Sequence, residues 1–425
     1  MDAIRQFGHR TFSSLSIRNY RLYFIGQGIS QCGTWMQTIA LGWLVLTISG
    51  SGTQLGLVIA LQFVPLLVAS PWGGILVDRF NKRRILYYTQ TIRAFLSGTV
   101  ALLVLTGTVQ LWMVYVFAFL VGLVAVIDNP ARQTFISDIV GNEHIKNAVS
   151  LNSTMVNLAR AIGPTIGGVL IAGVGIGFCF VIDALSFVAV LFMLTRMHGG
   201  AVERTPQRPQ ERPRFLDGLR YIRSMPLISS VIAMMAVIGM FAYEFQTSLP
   251  ILAQQTFLGN ASAYAALTAS FGVGSCIGGL YAAGRHRISP RQLVTFAFLF
   301  GVSMLVASVM PTLKLEMLAL AFVGFFSINM TSLANTTIQL ESRPDMRGRV
   351  LSFWNMAIFG STPIGSPIVG WVGEHIGARW SLVFGGIATV LAAGFAAHRL
   401  LKRHVLPEVS PEIELASEET ENVKL

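Results

Sequence analysis

Of 425 residues, 53% are hydrophobic and 12% charged, about half the charge of a soluble domain, so the composition excludes a water-soluble globular chain. The formal net charge is +11, but the cations are spread between apolar runs, which argues against a nucleic-acid partner. Cys32, Cys179 and Cys276 lie far apart in apolar runs. They read as small buried hydrophobes with neither disulfide nor metal spacing, and no cofactor is expected. Residues 1–20 are polar and basic, and no cleavable leader is expected there.

A membrane-crossing helix needs about 20 mainly apolar residues. Twelve segments qualify, at 21–48, 54–77, 85–106, 110–129, 147–172, 176–197, 227–252, 261–283, 291–311, 315–337, 349–373 and 379–402. All but four of the 31 Lys and Arg residues fall in the two tails and the even-numbered connections. The exceptions are Arg93 and Arg160 inside segments, and Lys314 and Arg379 in odd-numbered connections. The positive-inside rule then puts both termini in the cytoplasm.

The predicted layout is an N-tail (1–16), a six-helix half (17–197), a linker (198–226), a second six-helix half (227–404) and an acidic, disordered C-tail (405–425). The linker is Pro- and Arg-rich and ends in Phe215–Arg223, whose apolar residues recur at helical spacing and predict a short amphipathic helix on the membrane surface. The halves echo each other. Gly278-Gly279 before Arg285 ends segment 8 as Gly73-Gly74 before Arg79 ends segment 2, with Ala282 in the place of Asp78. Likewise Gly163-Pro164 of segment 5 pairs with Ser366-Pro367 of segment 11.

The stretch Gly73–Arg84 resembles the signature loop between helices 2 and 3 of the major facilitator superfamily. Gly74, Leu76, Asp78, Arg79, Lys82 and Arg83 fill their places, and Asn81 stands where glycine is usual. The resemblance implies an all-α membrane protein of twelve transmembrane helices, in two six-helix bundles related by a pseudo-two-fold axis, that rock about a central site. It further implies a multi-pass protein of a bacterial-type cytoplasmic (inner) membrane, working as a monomer on a small-molecule substrate. Asp78 is then expected to cap the start of segment 11, near Val350 and Leu351, with Lys82 or Arg83 reaching Asp128 or Asp138 at the end of segment 4. These contacts would form only when the cytoplasmic side is closed.

Ala159–Gly168, with Gly163, Pro164, Gly167 and Gly168 in place, resembles the helix 5 motif of the superfamily's antiporters and favours export. Softer matches suggest the branch containing the enterobactin exporter and macrolide efflux proteins: Asp128–Arg132, Asn157–Arg160 and Leu249-Pro250. Ala118 stands where many proton-coupled drug exporters carry a buried arginine on helix 4, so proton coupling has to rest on other residues.

Ionisable side chains inside a bilayer are functional candidates by default. Glu244, about two-thirds along segment 7, is the first candidate for proton coupling or substrate contact, with a hydrogen bond between helices as the alternative, and the resemblance implies that it faces the cavity. Asp183 follows, on a segment that the family's fold puts at the periphery. Arg160 needs an acid or carbonyl partner and reads first as a structural ion pair, then as a contact to an anionic substrate, whereas Arg93 is expected to snorkel as a structural residue. Gln27, Gln31, Thr34 and Thr38 form a polar stripe with Trp35 on segment 1, and Ser327, Thr331 and Asn335 form another on segment 10. Either stripe supplies cavity contacts or hydrogen bonds between helices. A mostly apolar wall suits a lipophilic or amphipathic compound, such as a drug-like molecule or siderophore, exported by alternating access, with protons as the coupling ion.

No Gly-x-x-x-x-Gly-Lys-Ser/Thr loop is present, which argues against an ATP-driven pump, and the solitary intramembrane acids argue against an enzyme. The alternatives on the same fold are a lysolipid flippase, which would move lysolipid, and a receptor, which would bind without flux.

Overall fold

The computed structural model describes residues 13–197, 215–285, 289–343 and 346–401. Most of both predicted tails, and the Pro-rich stretch 198–214 of the linker, lie outside the described residues.

The first half comprises α1 (Arg18–Ser49), α2 (Gly52–Arg79), α3 (Lys82–Leu105), α4 (Leu111–Gly141), α5 (Glu143–Gly173) and α6 (Ile176–Arg196). The second begins with α7, which runs Pro226–Phe241, breaks, and resumes as Phe245–Ile251 with a wide final turn at Leu252–Thr256. There follow α8 (Ala261–Ala283), α9 (Pro290–Ser308), α10 (Leu313–Glu341), a two-piece α11 (Arg347–Phe359 and Thr362–His375) and α12 (Ala378–Leu401). Among the described residues eleven spans are long and apolar enough to cross a bilayer, and α11 is built of two shorter pieces.

Local sequence sets the helix starts. Side chains of Ser51, Asn81, Asn260, Ser289 and Thr312 each accept a hydrogen bond from a backbone amide in the first turn of α2, α3, α8, α9 and α10, satisfying donors that have no partner within the helix. Gly141 (φ 67°) separates α4 from α5, so most of 130–146, expected as a connection, is helical. At that φ an L side chain is strained.

Within the first half, α2 lies directly on α4: a Cβ at Gly73 would stand 2.2 Å from the Val126 carbonyl oxygen. The halves meet along two helix pairs, α2 with α11 and α5 with α8. The pseudo-two-fold axis, which maps α2 onto α8 and α5 onto α11, exchanges these pairs. Backbone approaches there are close. A Cβ at Gly56 would lie 2.4 Å from the Ser366 carbonyl oxygen, and one at Gly168 would lie 2.4 Å from the Ala265 Cβ. Small residues at such crossings let helices pack without a hydrophobic driving force between them.

The ends of the bundle differ. At the end remote from Gly73–Arg84, Gly52 faces Ile251 and Gly370, and Gly168 faces Ser262 and Ala265; contact continues to mid-depth, where Gly272 meets Arg160 and Ala161. At the other end, called the basic end here, Gly74 and Gly348 face open space and Leu76, Arg79, Leu280 and Arg347 are exposed. The halves are closed at the remote end and apart at the basic end. The predicted amphipathic helix is present as Phe215–Ser224. It packs on the start of α11, where Gly218 abuts Phe353 and Arg349, and the Tyr221 hydroxyl accepts from the Arg343 amide at 3.1 Å.

Candidate functional site

The breaks in α7 and α11 face each other. A Cβ at Gly365 would come within 1.8 Å of the Met240 carbonyl oxygen, and one at Gly239 within 2.7 Å of that of Ala357. Between them sits Glu244, non-helical (φ −83°, ψ 39°) and 3% exposed. Thr362 and Ser366 of α11 are the hydroxyls facing its carboxyl, whose Oε1 has no partner. Ser366 also bonds Thr247 at 2.5 Å. Three ion pairs occur among the described residues, Lys82–Asp138, Arg132–Asp128 and Arg220–Asp217, and Glu244 is in none. The sequence reading placed Glu244 on the open cavity wall. The break turns it toward α11 instead.

Tyr243, to which the sequence reading gave no role, takes the cavity side. Its hydroxyl lies 2.6 Å from both Ser327 Oγ and Thr331 Oγ1, tying α7 to α10, and its ring packs on Phe245 and Phe300. Opposite, the Arg160 guanidinium of α5 stacks over the Trp35 ring of α1 at 5.0 Å. Tyr243 and Cys276 are the groups that interact with it electrostatically. Its Nε is buried without a hydrogen-bond partner.

The polar stripes divide. Gln27 is buried and accepts from Arg132 Nη1 at 3.2 Å, an intrahalf bond. The Thr38 hydroxyl turns back to the Thr34 carbonyl, and Asn335 accepts from Gln339 on its own helix. Gln31 is half-buried on α1, on the same side as Trp35. Beyond the candidates, Gln37 and Thr38 of α1, Gln62 of α2 and Gln246 of α7 line a small polar recess of about 10 Å³, the size of one water molecule.

At the basic end, Lys82 reaches Asp138 at 2.7 Å, from α3 to α4 within the first half; this contact, expected only with the cytoplasmic side closed, is therefore present while the halves are apart there. Asp128, the other acid considered, does not meet it. Asp128 is fully buried, accepts from Thr89 Oγ1 at 2.7 Å and Gln90 Nε2 at 2.9 Å, and pairs with Arg132 Nε at 2.9 Å. It lies ten residues, nearly three turns, deeper in α4 than Asp138. Arg83 donates to the Leu194 carbonyl and, at 3.0 Å, to that of Met197, closing the end of α6 where the macrodipole favours a cation. Asp78 lies in α2, and its side chain is not among the described ones. The α11 start that it was expected to cap has no side-chain cap.

Asp183 is fully buried and accepts from Ser97 Oγ at 2.6 Å, joining α3 to α6. Arg93 does not snorkel. It is 8% exposed, over the Phe187 ring at 4.9 Å, within the fields of Asp128 and Asp183. The helix 5 glycines are contact surfaces: Gly163 abuts Trp35 and Cys32, Gly167 abuts Met36, and Gly168 crosses to α8.

At the remote end, one residue past the apolar span of α11, Glu374 Oε2 accepts from Ser51 Oγ at 2.7 Å, the Thr53 amide at 2.8 Å and Thr53 Oγ1 at 2.6 Å. Burial works to raise its pKa; the hydrogen bonds from Thr53 and Ser51, with neighbouring His375, outweigh it and hold the carboxyl below its usual range. The acid therefore caps the start of α2 from the opposite half.

Two halves of six helices, paired across α2·α11 and α5·α8, define a major facilitator transporter. The structure resembles a bacterial homologue of the human lysosomal transporter Spinster (TM-score 0.72, 15% identity, covering 92% of this chain and 98% of that one). It also resembles a D-xylose–proton symporter (TM-score 0.68, 14% identity, covering 88% and 97%). The family described as transmembrane secretion effector matches residues 9–421, and the chain belongs to it. Among its relatives are the staphyloferrin A transporter of Staphylococcus aureus (23% identity, covering 87% of this chain and 93% of that one) and the multidrug efflux pump Tap of Mycolicibacterium fortuitum (26%, covering 81% and 87%). A third is the enterobactin exporter EntS of Citrobacter koseri (24%, covering 88% and 89%).

Proposed function

We propose that this chain is a monomeric secondary active exporter of a small lipophilic or amphipathic compound, working by alternating access and driven by proton antiport. The basic end faces the cytoplasm of a bacterial-type cell, by the distribution of Lys and Arg. The observation that carries the reading is the asymmetry of the bundle: closed across α2·α11 and α5·α8 at the remote end, apart at the basic end, with both broken helices at the pivot. That is the shape of a transporter loading from the cytoplasm. Relatives whose names describe export of siderophores or drugs support the direction.

Glu244 carries the proton. A buried carboxylate without a cation is costly, and the Thr362 and Ser366 hydroxyls offer partners to either protonation form. Opening the outer end separates α11 from α2, which gives α11 freedom to move at its break and expose Glu244 to the outside.

The test is efflux of a fluorescent lipophilic dye from dye-loaded cells, with and without an uncoupler, comparing wild type with Glu244→Gln. Uncoupler-sensitive efflux lost in the mutant supports the antiport role. Uncoupler-sensitive efflux unchanged in the mutant keeps the exporter and removes Glu244. Binding without flux, for dyes and siderophores alike, overturns the exporter.

A further inference from the structure

Most arginines packed into the bundle here are spoken for. Arg132 pairs with Asp128, Arg93 lies in the field of two acids, Arg285 bonds Asn329, and Arg379 donates to the Ser308 and Met310 carbonyls. Arg160 differs. Among the described residues no carboxylate lies within ion-pairing distance of it, and its Nε is buried without a hydrogen-bond partner. Its surroundings are the Trp35 ring, Tyr243, Cys276 and the α8 backbone at Gly272. A ring face offsets part of the desolvation of a cation, but gives the buried Nε–H no acceptor. A cation kept in that condition in a membrane interior calls for an anion from elsewhere.

Arg160 stands where the halves meet at mid-depth, on α5, with Trp35 from α1 and Tyr243 from α7. It and Trp35 are half-buried, and Ser153, two turns nearer the basic end on the same face of α5, is exposed. The guanidinium therefore lies at the head of the space that opens toward the basic end. We propose that Arg160, flanked by Trp35 and Tyr243, binds an acidic group of the transported compound, so that the substrate is an organic anion with an aromatic or otherwise flat apolar body. The inference rests on the transporter reading above and names its substrate class. The guanidinium meets a carboxylate or sulfonate through paired N–H donors, and the two rings hold the apolar body. A cationic drug is repelled by the same residue.

The experiment is binding, not flux, so that its failure is separable from failure of the exporter reading. The full chain in phosphatidylcholine nanodiscs is titrated with dansylglycine and with uncharged dansylamide, reading energy transfer from tryptophan and subtracting empty discs. Wild type is expected to bind dansylglycine at least about tenfold more tightly than dansylamide, the scale of one charge-assisted interaction. Arg160→Gln is expected to lose that preference while still binding dansylamide, which also shows that it is folded, and Arg160→Lys to keep part of it. Equal binding of the two probes by wild type, no saturable dansylglycine binding, or a preference that survives Arg160→Gln overturns the proposal. Repeating the titration with phosphatidylglycerol in the discs separates a substrate from a lipid headgroup: unchanged affinity is expected, and competition reassigns the site to lipid phosphate and overturns the substrate claim. An anion preference without uncoupler-sensitive efflux would remove the exporter and leave the anion site standing.

Discussion

Thr53 donates both its backbone amide and its hydroxyl to one carboxylate oxygen of Glu374, at 2.8 and 2.6 Å, across the two halves of the chain. With Ser51 Oγ as a third donor at 2.7 Å, this acid holds the remote end shut.

The latch is pH-sensitive in a definite direction. The folded contact holds the Glu374 carboxyl below its usual range, so its contribution is fully present above the free carboxyl value and is lost as pH falls through the depressed one. Acid on the remote side is therefore expected to favour opening there. Hydrogen bonds to charged groups contribute about 1.5–3 kcal/mol, and partial exposure puts this one at the lower end, about tenfold in the ratio of closed to open. Spin labels at Ile48 and Ile376 should report a short distance at neutral pH and a longer one in acid, with Glu374→Gln long at both. A distance in Glu374→Gln that stays short would remove the latch.

The opposite gate makes a complementary prediction. In this state the start of α11 is exposed and its N-cap residue Met346 makes no side-chain cap; the Arg347 amide bonds the Arg343 carbonyl, and the amides that follow it are the ones an incoming anion would meet when the basic end closes. Asp78→Asn is expected to abolish transport in a protein that still folds and still closes its remote end. Wild-type efflux by a well-expressed Asp78→Asn sample would remove the gate from the account.

The Lys82–Asp138 pair, at 2.7 Å, lies at the protein's rim with 18% and 19% of its side chains exposed, and pairs that still reach solvent contribute about 1 kcal/mol or less. Breaking it by Asp138→Asn is expected to leave thermal stability nearly unchanged. If the pair orients the loop for closure, efflux falls in Lys82→Asp and returns in the swapped double variant Lys82→Asp with Asp138→Lys. A double variant no better than the single ones would make the contact incidental.

The spans, the two halves and the helix starts were legible because their signals are local. Runs of about 20 apolar residues have few other fates, and Ser51, Asn81 and Asn260 cap within three residues of themselves. The site was legible only as an inventory. Glu244 was identifiable as a lone intramembrane acid, yet its neighbours on α11 were not, because the break at Ala242–Glu244 interrupts the 100° step between residues. Tyr243 went unassigned for the same reason. The contact between Glu374 and Thr53 joins residues 321 apart, and no local pattern marks it. Asp128 and Asp138 were equivalent on paper, and only depth separated them.

Close approaches within one half and between halves predict different outcomes for one substitution. A Cβ at Gly274 would stand 1.8 Å from the Ala321 carbonyl oxygen, between α8 and α10 of the second half. Both helices belong to one rigid packing unit, so Gly274→Ala has to push backbone apart, at about 1–3 kcal/mol. The gain in helix propensity, about 1 kcal/mol, offsets only part of this. A Cβ at Gly56 would stand 2.4 Å from the Ser366 carbonyl oxygen, between α2 and α11 of opposite halves. That clash is relieved by opening the remote end, the motion that the proposed transport cycle requires. Gly274→Ala is therefore expected to lower Tm without changing the Ile48–Ile376 label distance. Gly56→Ala is expected to lengthen that distance with little loss of Tm. The reverse pattern would mean that α2 and α11 do not separate during the cycle.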